Sequence, residues 1–253
     1  MKRTAPKKAE RDKPAAKRAQ PARPRASRAA DSGTTRLALM RAAERLMAER
    51  GIDAVSLREV SAAAGQLNNS AVLYHFGSRD ALIDAILERH SAPIHARWAS
   101  QLDLIERMGS VELRALVEML VIEVASKLDD EDGGFEYLSI CGQLLLTPTG
   151  PLVERQVADT PTVQRLVAKM LPYYAVPATL LPMRFERLVS VLYTSLIGYR
   201  RAERAGTLPV SRAVFTSELI DTLVALITTP FSSETSALLK SQSKASPRKG
   251  RGR

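Results

Sequence analysis

Residues 56–80, SLREVSAAAGQLNNSAVLYHFGSRD, decide the fold. Ser56 followed three residues later by Glu59 is a capping box, in which the hydroxyl accepts an early helical N–H and the carboxylate reaches back to the Ser56 N–H. A helix starts there. Leu57, Val60 and Ala64 recur at helical spacing, the intervening alanines allow close approach of another helix, and Gly65 supplies the left-handed residue that stops it. Gly65 to Leu67 form a turn. Asn68 caps a second helix of about two turns running to His75, and Gly77-Ser78 ends that helix and caps the next at Arg79-Asp80. Two short helices joined by so tight a turn form a helix-turn-helix, whose second helix enters a DNA major groove.

With its flanks the stretch becomes more specific. Ala43 and Gly51 in the preceding helix, Ser56 to Gly65, Tyr74-His75-Phe76, and Ser78-Arg79-Asp80-Ala81-Leu82 together resemble the DNA-binding domain of the tetracycline-repressor (TetR) family of bacterial transcription regulators, over residues 35 to 90. The turn after Gly65 is one residue longer than the common family form. Leu73 stands where the family usually has a phosphate-binding tyrosine, and Val55 where threonine is frequent. The resemblance implies a DNA-contact set of Arg36, Ser56, Asn68, Asn69, Ser70, Leu73, Tyr74, His75 and Arg79. Asn69 and Ser70 suit base edges, because asparagine pairs bidentately with adenine. Arg36, Ser56, Tyr74 and Arg79 suit phosphates, and Tyr74 packing beside Phe76 is the alternative for that residue.

Charge is distributed unevenly. Residues 1–33 hold eleven Lys/Arg against three acids, giving +8, and residues 232–253 hold six against Glu234, giving +5; the total is +10, so the rest carries −3. Residues 34–87 hold six basic and six acidic groups, so DNA affinity must come from the placement of charge or from the tails. The first 33 residues, rich in Lys, Arg, Ala and Pro, lack apolar periodicity and read as a disordered basic arm that tracks phosphates, or as a solubilising extension. Residues 231–253 read as a second disordered basic tail.

Between the tails everything reads as helix. A support helix runs from Thr34 to Arg50 with Leu37, Met40, Ala43 and Met47 on one stripe, while Arg41 and Arg45 face solvent. A helix from Ser78 carries Leu82, Ile83, Ile86 and Leu87 out of the small domain towards Pro93. Further helices follow at 94–107, 111–128, 135–146, 162–174, 182–204 and 211–228, separated by Gly, Pro and polar breakers such as the acidic loop 129–134. The expected fold is all-α, with a DNA-binding domain over 34–90 and a helical regulatory and dimerisation domain over 91–230.

Apolar content of 45% supports a sizeable core, no run reaches the roughly 20 apolar residues of a membrane span, and no apolar segment follows the basic N-terminus as in a secretory signal. A cytoplasmic protein is expected. The single cysteine, Cys141, lies in the apolar run LSICGQLLL and reads as a buried structural thiol rather than a redox sensor. Asp129 to Asp132 lack the alternation and closing glutamate of a calcium loop and read as a solvated connection. His90 and His95 are wrongly spaced for a metal, and no phosphate loop or activated nucleophile is present. No enzyme, metal or cofactor is expected.

The last two helices are apolar on two sides, and in the resembled family such helices form a four-helix dimer interface. That assigns Leu188, Leu192, Leu196, Leu219 and Leu223 to contact with a second copy, with burial in a monomeric core as the alternative. Trp98, Met119, Tyr137, Met170 and Tyr174 are candidates for lining a pocket for a lipophilic effector, each also being ordinary core. The sequence thus predicts a homodimeric, ligand-responsive regulator, a repressor of a near-palindromic operator. The rival is an architectural protein that holds DNA non-specifically through its basic tails.

Overall fold

The computed structural model describes residues 25–146 and 160–245, with side chains over 32–146 and 160–242. Among them the regular elements are all helical. They are α1 (Arg25–Arg50), α2 (Leu57–Ala63), α3 (Ala71–Phe76), α4 (Arg79–Met108), α5 (Leu113–Ala125), α6 (Gly134–Leu144), α7 (Pro161–Met170), α8 (Leu181–Arg204), α9 (Arg212–Thr228) and α10 (Ser233–Ala245), with three short 3-10 turns. Helices α1, α2, α3 and α4 pack on one another in sequence, and α4 runs on against α5, α6 and α7. Helix α5 packs against α4, α7 and α9, while α6 bridges α1, α4 and α8. One continuous apolar core runs from Leu39 in α1 to Ile227 in α9.

Four boundaries differ from the sequence reading, each for a local reason. Helix α1 begins at Arg25 rather than Thr34, because Arg-Ala-Ser-Arg-Ala-Ala is composed mostly of good helix formers that extend an already nucleated helix. The remainder of the basic arm, residues 1–24, lies outside the described residues. Helix α3 starts at Ala71 rather than Asn68: the Asn68 Oδ1 accepts the Ser70 N–H at 2.9 Å, which makes an Asx turn ahead of the helix instead of a cap within it.

The third concerns Pro93. It does not end its helix but lies inside α4, so the expected boundary at residues 90/91 falls within one continuous helix of 30 residues. Proline leaves the Arg89 carbonyl without its helical donor, a cost of about 3 kcal/mol. Against that, Ile94, Trp98 and Leu102 continue the buried stripe of Leu82, Ile83, Ile86 and Leu87, and their burial outweighs the missing bond. The fourth is α10, which occupies 233–245 where a disordered tail is expected. The Ser232 hydroxyl accepts the Thr235 N–H at 3.1 Å at its start, and Ala237, Leu238, Leu239 and Lys240 favour helix. Residues 246–253 lie outside the described residues.

The acidic run is an exposed connection, as expected, but three of its carboxylates are also ion-paired. Asp129 pairs with Arg212 in α9, Asp130 with Lys127 at 2.8 Å, and Asp132 with Arg41 at 2.8 Å and with Arg89. Arg41, expected to face solvent alone, is therefore ion-paired. No single described helix is long and apolar enough to cross a membrane.

The last correction concerns the five interface leucines. Leu188, Leu192, Leu196, Leu219 and Leu223 are all buried within the single chain, with Leu196 only 1% exposed. The width of the apolar stripes on α8 and α9 serves contacts of the two helices with each other and with α6 and α5. These side chains pack the chain's own core.

Candidate nucleic-acid interface

The capping box forms as its sequence requires. The Ser56 hydroxyl accepts the Glu59 N–H at 3.2 Å, and the Glu59 carboxylate accepts both the Ser56 N–H and its hydroxyl at 2.8 Å. Arg50 pairs with Glu59 at 2.9 Å, and these three partners hold the carboxyl down at about 2, the Ser56 N–H contributing most. The hydroxyl of Ser56 is thus already engaged at both ends. At the far end of α2, Gly65 takes φ +70 and lets the Gln66 N–H bond back to the Ser61 carbonyl at 2.9 Å. The Ser61 hydroxyl reaches the Asn69 carbonyl at 3.3 Å and fixes the turn against α2.

Helix α3 is anchored by two small buried residues, Ala71 and Val72. Their burial turns the opposite face outward. Asn68, Asn69, Ser70, Leu73 and Tyr74 are exposed on one side of the motif, Tyr74 at 82%, and His75 is half-buried with its ring edge-on to Tyr74 at 5.0 Å. Tyr74 does not pack beside Phe76; the Phe76 ring instead lies 4.6 Å from the Arg36 guanidinium in a cation–π contact. Arg36 is thereby held at the end of the recognition helix.

Arg79 departs from its expected phosphate role. Its guanidinium donates to the Ile52 carbonyl at 2.7 Å and to the Val55 carbonyl, so it ties the α1–α2 connection to the start of α4. Arg58, absent from the expected set, is exposed in the first turn of α2 and has no carboxylate partner among the described residues. With Arg41 and Arg50 in ion pairs and Arg79 on carbonyls, Arg36, Arg45 and Arg58 are without a carboxylate partner among the described residues; of these Arg36 lies against the end of α3 and Arg58 in the first turn of α2. The signal for Arg58 lay in its position two residues after the Ser56 cap.

The five candidate pocket residues separate. The Trp98 indole N–H donates to the Met119 carbonyl at 3.2 Å, while Tyr137 stacks on His90 at 4.9 Å and shares its hydroxyl with that of Tyr193 at 3.3 Å. Met170 is buried, and the Tyr174 hydroxyl is buried with no hydrogen-bond partner among the described residues. None of the five lines the cleft of about 550 Å³ between α5 and α9, nor that of about 270 Å³ where α1, α6 and α8 meet. Cys141 is fully buried, and desolvation pushes its thiol up to about 12, which leaves it unreactive.

The family model for bacterial regulatory proteins of the tetR family matches residues 39–86. An HTH-type transcriptional repressor of Mycobacterium tuberculosis is 37% identical over 87 residues, which are 32% of this chain and 46% of that protein. An HTH-type transcriptional regulator of Mycobacterium bovis matches to the same extent. The match spans about half the length of these relatives. Among solved structures, a TetR-family regulator from Streptomyces coelicolor superposes with a TM-score of 0.43 at 20% identity, covering 78% of this chain and 96% of the other.

Proposed function

This chain belongs to the TetR family of bacterial regulatory proteins through its residue 39–86 domain, and from that premise we propose that it is a homodimeric transcription repressor that releases its operator on binding a small molecule. The observation that carries the reading is the outward face of Asn68, Asn69, Ser70, Leu73 and Tyr74, which has no packing task in the chain. Asn69 and Ser70 contact base edges there, and Leu73 lies against a thymine methyl. Arg36, Arg58 and the Tyr74 hydroxyl hold phosphates on either side and set the register.

A second copy completes the operator complex. With the five leucines turned inward, the dimer face is the exposed side of α8 and α9, on which Thr194, Gly198, Val214, Thr222 and Ala225 are small or apolar. Two recognition helices then fall about 34 to 36 Å apart, in successive major grooves. For the effector, the support is the buried Tyr174 hydroxyl, which has no hydrogen-bond partner among the described residues and which a ligand in the regulatory domain would satisfy.

Operator selection from random duplexes tests the reading. A near-palindrome with half-sites one helical turn apart is expected. Retention of all duplexes equally would favour the architectural rival.

A further inference from the structure

Glu44 of α1 is a carboxylate only 2% exposed inside the DNA-binding domain's own supporting helix. Both its oxygens accept from Arg89 Nη1, at 2.7 and 2.8 Å, and one lies 3.2 Å from His90 Nε2. Arg89 also donates to the Asp132 backbone carbonyl at 3.0 Å, and it pairs with the Asp132 carboxylate, which receives Arg41 of α1 in a bidentate pair at 2.8 and 2.9 Å. Gly133 makes this approach feasible: at φ +89 it brings the chain so near that a Cβ there would lie 2.6 Å from Glu44 Oε2. The loop between α5 and α6 is therefore fastened to the middle of α1.

A second fastening lies further along the same helix. Gln143 of α6 accepts the Ile52 N–H at 2.8 Å through Oε1 and donates to the Met47 carbonyl at 3.0 Å through Nε2, so it satisfies backbone groups at the C-terminal end of α1. One attachment would leave a pivot, whereas two along α1, separated by roughly 10 Å at 1.5 Å per residue, fix an angle.

We propose that Asp132 and Gln143 are positioning residues for operator recognition: together they set the angle of the DNA-binding domain against the helical domain, and thereby the half-site spacing that the dimer accepts. The inference rests on the dimeric operator reading above. Its leverage is large, since a tilt of α1 by roughly 10°, acting over a lever arm of about 17 Å, half the spacing of the two recognition helices, moves each of them by about 3 Å, close to the rise of one base pair.

The test uses the full chain, with Arg41→Ala, Asp132→Asn and Asp132→Asn/Gln143→Ala as variants. Arg41 and Asp132 are each about half exposed, so these replacements leave the core intact. Affinity is measured for an isolated half-site and for palindromes with the spacing changed by one base pair in either direction. The wild type should lose about tenfold or more on the wrong spacings and the double variant under about threefold, in the range of typical coupling energies, while half-site affinity stays within about twofold for all. Separately, without DNA, nitroxide labels on Ala62→Cys in α2 and Ala115→Cys in α5 report the angle within one chain, labelled chains being diluted into unlabelled ones. Buried Cys141 stays unlabelled. The distance distribution should broaden in the double variant. An unchanged spacing profile or an unchanged distribution in the double variant would overturn the proposal, as would loss of half-site binding, which would put the residues' effect inside the DNA-binding domain. A wild type indifferent to spacing overturns the operator reading instead, and with it the spacing role, while the label distances still decide whether the two residues fix the angle.

Discussion

Arg79 Nη1 donates to the Ile52 carbonyl oxygen at 2.7 Å, across 27 residues of chain. A second donor serves Val55, so a residue at the start of α4 closes the connection between α1 and α2 and orients the capping box that follows.

Arg79→Ala should therefore act on stability. Two charge-assisted bonds to backbone carbonyls are lost, at roughly 1.5 to 3 kcal/mol each before relaxation and rehydration reduce the sum. Denaturant melts should show the drop, and the salt dependence of DNA binding should keep its slope. A normal melt with the slope reduced by roughly 0.9 per subunit would return Arg79 to a phosphate.

Asn69→Ala removes an exposed amide with no role in the fold beyond its backbone carbonyl, which the substitution keeps. Affinity for the selected operator should fall by roughly 1 to 3 kcal/mol, with random DNA nearly unaffected. Arg58→Ala should weaken both DNAs alike. Equal losses on both for Asn69→Ala would remove it from the base-reading set.

Many local signals are legible in the sequence, although those at Asn68 and Pro93 mislead, and long-range pairings are not legible. The Ser56–Glu59 box, the Gly65 stop and the ends of α5, α6, α8 and α9 depend on neighbours a few residues away, and all are found where the pattern placed them or within a few residues. The run Asp129 to Asp132 depends on Arg41, Arg89 and Arg212, which no local pattern connects to it. The same holds for Arg79, whose acceptors are backbone carbonyls and carry no side-chain signature. For α8 and α9, hydropathy reported how wide the apolar stripe is but not which neighbour covers it. Arg58 is legible as a surface cation two residues after the Ser56 cap, whereas the neutral total charge of residues 34–87 does not distinguish it from the paired arginines.

Dimer contacts are tested with residues that the isolated chain does not need. A Cβ at Gly198 meets nothing within 4 Å, and Ala225 is exposed, so Gly198→Arg and Ala225→Arg should leave melting of the subunit fold intact while shifting sedimentation to monomer. Leu196→Glu should unfold the chain, because it puts a charge into a core position. A dimer that survives both arginines would place the interface elsewhere.

Residues 1–24 hold nine Lys/Arg against Glu10 and Asp12. Should three or four of these per subunit contact phosphates, a dimer that starts at Arg25 should lose roughly 5 to 7 units from the slope of log affinity against log salt, with little change in operator choice. Binding of both lengths to selected and random DNA across a salt series decides. Identical slopes would make the arm a passenger.

Two carboxylates give the protein an acid-sensitive edge. Glu59 is held down at about 2 by the Ser56 N–H and hydroxyl and by Arg50, and Asp132 at about 2 by the Arg41 hydrogen bond first and by Arg89 against an opposing desolvation. In the unfolded chain both return to the ordinary carboxylate range near 4. A group whose folded pKa is the lower one stabilises the fold fully above its unfolded value and ceases to do so as pH falls through its folded value. The contributions of the capping box and of the α1 attachment should therefore persist down to about pH 4.5 and fade between there and about pH 2. Thermal melts from pH 6 to 2 should show the wild type losing stability more steeply through that window than Glu59→Gln or Asp132→Asn, with the curves converging at the acid end. Both groups are well exposed, so added salt should flatten the difference. Parallel curves for the wild type and both variants would mean that neither carboxylate contributes to stability through its charge.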